Sequence, residues 1–197
     1  MKRLNLFWLF ALIAFSSLAV AQSPVGQTPL GFCSVSSMSA ATALTPANCA
    51  LATFTGTHFT SGNGVIASAV TGLISQGDPI TGTGAPAGTV IQGQLTPLLA
   101  GEAIGGAGRY TTNKAVTSVA QTITAGPGAT VTYAVFCANT QAINYRDDGV
   151  APTGTPGTGG QGIASGNCIP YNAVLSTTNL QFIQQAGGAI LGASFYR

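Results

Sequence analysis

Beyond residue 21, no stretch of the chain repeats apolar residues every three to four positions over three or more turns between helix caps. Without that pattern a helix has no stripe to bury. The chain offers instead short runs rich in Val, Thr, Ile and Ala, cut by single glycines and by Gly-Pro and Pro-Gly steps. β-branched residues between such breaks suit a pleated, half-buried surface. The fold class expected is all-β.

Several strands can be placed. Residues 129–137 alternate, with Val131, Tyr133, Val135 and Cys137 on one face. Residues 141–145 are expected as their hairpin partner, because Ala138-Asn139-Thr140 can turn the chain. A second hairpin is expected between 180–184 and 189–196 around Gly187-Gly188, with Leu191, Ala193 and Phe195 sharing a face. Between the pairs, residues 151–167 are rich in Gly, Pro and Thr and read as a long surface loop. The middle of the chain has its own texture. Residues 64–70, 88–93, 109–112 and 118–124 are strand-sized pieces, linked by the turn-rich 82–88 and by Gly105-Gly106-Ala107-Gly108. They read as a small Gly/Thr-rich β-module.

Residues 1–21 have the layout of an export signal. Lys2 and Arg3 precede an unbroken apolar run, 6–15, and Ala19-Val20-Ala21 forms an A-x-A cleavage site before Gln22. Residues 4–21 are also just long enough for a short membrane anchor, and the small residues before Gln22 favour cleavage. The reading is a signal peptide at 1–21, a secreted or extracellular product, and no membrane association once the signal is removed. Cleavage leaves eight charged side chains: Asp78, Glu102, Arg109, Lys114, Arg146, Asp147, Asp148 and Arg197. Soluble domains carry roughly 25%. Four acids against four bases give a surface with little repulsion between copies, which suits self-association into a homo-oligomer or polymer. Nucleic acid is excluded as a partner, because it demands a basic stripe.

The four cysteines, Cys33, Cys49, Cys137 and Cys168, all follow the signal. An even number in an exported chain implies two disulfides. Three pairings are possible. Cys33–Cys49 with Cys137–Cys168 is favoured, since each bond closes a short, loop-rich segment, worth roughly 3–4 kcal/mol in the loop-entropy description. Their spacing fits no zinc motif, and His58 is the only histidine.

No constellation for catalysis is visible. His58 lacks a G-x-S-x-G nucleophile motif. Asp147-Asp148 could ligate calcium, but Arg146-Asp147-Asp148-Gly149 has the composition of a tight turn. Two acids in a cleft, as glycoside hydrolysis needs, are not apparent. Gly105 to Gly108 lacks the Lys-Ser/Thr and the helix of a phosphate loop, and no C-x-x-C occurs. The chain reads as non-enzymatic, with no catalytic residue, no cofactor and no metal.

Two segments carry a resemblance. Residues 78–91, with 105–111 and 121–124, resemble a Gly/Thr-rich β-module of tailed-phage structural proteins, especially tail-fibre and other virion-associated chains. Residues 143–153, with 180–183 and the ending Ala193-Ser194-Phe195-Tyr196-Arg197, are similar to a small phage-encoded β-sandwich protein of virion gene neighbourhoods. In that pattern an earlier short segment matches 39–45. The resemblance implies a β-sandwich or jelly-roll-like domain split into 22–52 and 126–197, with the Gly/Thr-rich module, 53–125, inserted. It implies a decoration, fibre or spike role in an assembly. The export signal adds a filament or surface-layer subunit. The alternative is a secreted adhesin or glycan-binding module, taking a surface glycan or protein receptor through the loops at 146–149 and 151–167.

Overall fold

The computed structural model describes residues 27–59, 62–128, 131–172 and 179–197. The export signal read at 1–21 lies outside them, as do the first two residues of the strand expected from 129. Every element described is a strand, and among the described residues no helix is long and apolar enough to cross a membrane. In chain order they are β1 (Pro29–Ser36), β2 (Thr42–Ala43), β3 (Ala52–His58), β4 (Gly64–Gly72), β5 (Pro79–Gly82), β6 (Ala85–Gln94), β7 (Gly108–Thr112), β8 (Gln121–Ala125), β9 (Tyr133–Ala138), β10 (Ile143–Arg146), β11 (Gln161–Ile163), β12 (Cys168–Tyr171), β13 (Gln181–Gln184) and β14 (Ile190–Tyr196). All pairings are antiparallel. The all-β expectation holds.

The strands form two four-stranded sheets and a barrel. The first sheet runs β1-β14-β9-β12 and the second β11-β10-β13-β2. Their inward side chains share one core. Leu30, Val35, Phe136, Leu191 and Phe195 come from the first sheet, and Ile143, Ile163 and Phe182 from the second. Rings at 5.0 Å (Phe136–Phe182) and 6.2 Å (Phe136–Phe195) meet edge-on at its centre, a favoured aromatic geometry.

Those contacts correct both expected hairpins. β9 and β10 lie in different sheets, and so do β13 and β14. Each turn-like segment carries the chain across the core from one sheet to the other. The two crossings run side by side: Asn139 N–H donates to Ile190 O (2.9 Å) and the Thr140 hydroxyl to Gly188 O (2.6 Å). A hairpin would place each pair of strands in one sheet. The large apolar residues of β9, β10, β13 and β14 instead face one another across the core. On β9, Tyr133, Val135 and Cys137 do share a face, but it is half-buried, and Val131, expected with them, lies before the strand and is fully buried. The core face is Ala134, Phe136 and Ala138. Leu191, Ala193 and Phe195 are fully buried together, as their alternation suggested. The loop read at 151–167 contains β11, which pairs with β10 and anchors itself through buried Ile163.

The barrel closes in the order β3-β4-β7-β6-β5-β8, with β8 returning to β3. Phe54, Val65, Ile80, Ile91, Tyr110 and Ile123 fill it. Six strands leave little interior, and Gly56 makes room: a Cβ there would stand 2.3 Å from the Ile123 side chain. The linker expected at 82–88 is a two-residue hairpin turn, Thr83-Gly84, between β5 and β6, with Gly84 at φ +81°. The barrel ladders run on into the flanking chain through Leu51 N–H to Ala125 O (2.8 Å) and Gly126 N–H to Pro79 O (3.0 Å), and the Leu51 side chain belongs to the core between the sheets.

Both disulfides join the expected partners, Cys33–Cys49 and Cys137–Cys168. Replacing Cys33 and Cys49 together with alanine opens a loop of separation 16 and is expected to cost about 3 kcal/mol. Urea denaturation measures it. A loss under about 1 kcal/mol would mean the bond adds little to this fold.

Candidate functional site

The residues singled out for chemistry are scattered. His58 ends β3 with Nδ1 3.1 Å from Ser118 O. Asp148 accepts from Arg146 Nε (3.0 Å) and from Val150 N–H (3.1 Å), with Gly149 at φ +80°. The Arg146 guanidinium, followed by the Val150 N–H, holds its carboxyl down at about 2. The segment is a self-satisfied turn. Asp147 accepts from the Tyr171 hydroxyl at 3.2 Å. Among the described residues, no three His, Cys, Asp or Glu side chains cluster as metal ligands would.

The most elaborate arrangement of polar groups surrounds the loop between β6 and β7, residues 95–107. Glu102 organises it. Its Oε1 accepts from Arg109 Nε at 2.7 Å, and its Oε2 accepts from Leu99 N–H at 2.7 Å. Arg109 also donates from Nη2 to Pro97 O (3.0 Å) and to Glu102 Oε2 (3.4 Å). Hydrogen bonding to Arg109 holds the Glu102 carboxyl below its ordinary range and lifts the guanidinium. From β6, Gln94 donates to Ala103 O (2.8 Å) and accepts from Gly105 N–H (2.9 Å). From β7, the Tyr110 hydroxyl donates to Gly106 O at 2.6 Å. Burial, with the Glu102 charge beside it, pushes that phenol up to about 12. Strand alternation explains the bracing: Arg109 and Tyr110 are adjacent on β7, so one ring enters the barrel while the guanidinium stays outside. The Gly105–Gly108 run is therefore part of a held loop.

What this scaffold presents is apolar. Leu98 is 36% exposed, Leu99 54% and Ile104 82%. Here two of the eight charged side chains beyond residue 21 are committed to fixing the backbone that holds these apolar residues in solvent. Sequence reasoning missed the loop as a site. The available signal was Leu98-Leu99 and Ile104 beside Glu102, seven positions before Arg109.

A pocket of about 140 Å³ at Gln94, Ile104, Gly105 and Tyr110 borders this loop, and two other concavities lie on the sheet strands. A groove of about 620 Å³ is lined by Tyr133 and Val135 of β9, Ile163 of β11, and Asn167, Ile169 and Pro170 in and before β12, with no charged residue. A smaller pocket of about 180 Å³ lies at Tyr145, Arg146, Asp147, Asp148, Gly160 and Gln161. The loops of the receptor-binding alternative, 146–149 and 151–167, contribute to both. No protein-family model, no curated protein and no solved structure matches this chain.

Proposed function

We propose that this chain is a non-enzymatic structural subunit of an extracellular assembly. It would be of the phage tail-fibre or decoration type that its sequence resembles, or an exported filament or surface-layer subunit. In this reading the two four-stranded sheets are a jelly-roll-like β-sandwich made by 22–52 and 126–197, and the barrel is a module inserted at 53–125. The two disulfides are consistent with an oxidising, extracellular setting.

The observation that carries the reading is the braced loop. Holding Leu98, Leu99 and Ile104 in water is unfavourable in the isolated chain and favourable once a neighbour covers them. A surface with few charges offers little resistance to that neighbour. The adhesin or glycan-binding alternative would use the pocket at Arg146–Asp148, where two carboxylates, a guanidinium and Tyr145 meet.

The test is sedimentation velocity with electron microscopy on the full chain over a wide concentration range. The wild type is expected to form larger species. Leu99→Lys with Ile104→Lys is expected to shift their onset to about tenfold higher concentration, with the melting temperature unchanged. A wild type that stays monomeric throughout sinks the assembly reading. Saturable glycan binding by that monomer would install the alternative.

A further inference from the structure

We infer that the outer edge of β1 is a pairing surface for a second copy of this chain. The two β1 strands would add antiparallel about a two-fold axis, joining the first sheets into one of eight strands. The inference rests on the assembly reading and names one of its contacts.

Its warrant is the contrast between this edge and the others. A sheet edge presents unpaired N–H and C=O groups. Proteins that stay apart blunt such edges with short strands, proline, charge or bulges. The barrel has no edge. The second sheet ends in β11 and β2, of three and two residues. The far edge of the first sheet, β12, has four residues and carries Pro170, which has no N–H to offer. β1 differs in its length and in where its proline falls. It has eight residues, none charged, and its one proline is the first of them. Its only irregularity lies between Pro29 and Gly31, leaving Phe32 to Ser36 in unbroken register with β14. Among the described residues, its backbone pairs with β14 alone.

The side chains identify the occupant. Leu30, Cys33 and Val35 point into the core, and the Cys33–Cys49 bond fixes the strand from beneath. The strand is thus preorganised, and pairing need not order it first. Phe32, Ser34 and Ser36 face out. Phe32 is 60% exposed, and its ring lies along β14, where a Cβ on Gly192 would stand 3.5 Å from Cε2. This face has no charge for an acidic or basic partner to match. It matches itself. Under a two-fold axis normal to the sheet the same small hydroxyls and the same ring recur on the same face, as an isologous contact requires.

Hydrogen exchange of the full chain at low and high concentration, with sedimentation velocity, decides the matter. Amides of residues 32–36 are expected to gain protection as concentration rises. Phe32→Lys is expected to abolish that gain and weaken dimerisation about tenfold or more. Because Phe32 is exposed, the melting temperature should not move. Leu99→Lys with Ile104→Lys should leave the β1 protection intact. If larger species form while β1 exchange stays independent of concentration, this inference fails and the assembly reading survives. If no association occurs at all, both fail. Protection of β1 only on adding a different protein would overturn the second copy as occupant.

Discussion

Replacing Phe136 with alanine is expected to lower the unfolding free energy by about 4 kcal/mol, the range for removing a fully buried aromatic ring. Phe136 is 0% exposed. Its ring meets Phe182 of the second sheet and Phe195 of its own, and stands 5.9 Å from Tyr171. Three aromatic partners drawn from three strands cannot all move to fill the space, so most of the cavity persists. Because the ring joins two sheets, the loss should appear in both at once. Urea denaturation followed by circular dichroism gives the size, and hydrogen exchange of β9 and β13 gives the extent. A cost under about 2 kcal/mol, or loosening confined to β9, would show that the sheets hold together without it.

The second large effect concerns Asp78, at the junction of barrel and sheets. It is 1% exposed, and its Oδ2 accepts from Ser75 N–H at 2.8 Å. Burial raises its carboxyl to about 7, against the partial opposition of the Ser75 hydrogen bond and the Arg197 charge. Between the ordinary carboxylate value of 3.8 and about 7, the folded protein keeps a proton that the unfolded chain has released. Stability therefore falls as pH rises through that window and is restored below it. Each pH unit is worth about 1.4 kcal/mol. The buried anion then costs on the order of 2–4 kcal/mol at pH 8. Asp78→Asn retains an acceptor for Ser75 without the charge. It should be more stable than the wild type by that amount at pH 8 and equal to it near pH 3.5. Urea midpoints across this range test it. A variant no more stable at pH 8 would mean that the carboxylate is solvated in the folded protein.

The all-β class was legible because strand alternation is a local property, as Leu191, Ala193 and Phe195 illustrate. The disulfide partners were legible because each pair lies close in sequence. Strand pairing was not. Gly187-Gly188 permits a hairpin and a crossing equally, and the choice is made by Phe136 meeting Phe182 across the core. β1 itself escaped notice. The irregularity at Pro29/Gly31 shifts its inward positions from even to odd numbers, so Leu30, Cys33 and Val35 show no clean alternation. Of the braced loop only the Gly105–Gly108 run was read, as a turn, because its supports, Gln94, Arg109 and Tyr110, sit on the flanking strands. A strand pattern records which face a side chain takes, and nothing of a side chain at a strand end reaching along to a loop.

The partner of β1 inside the molecule is β14, and beyond their ends Thr28 and Arg197 exchange hydrogen bonds of 2.8 and 3.0 Å. A ribosome makes β1 before every other described strand and supplies its mate after all of them. The barrel strands are complete by Ala125 and can close on their own schedule. The first sheet has to wait for its last residues. Throughout that interval both edges of β1 are open, so its solubility during synthesis depends on whatever holds the chain until Tyr196 has emerged.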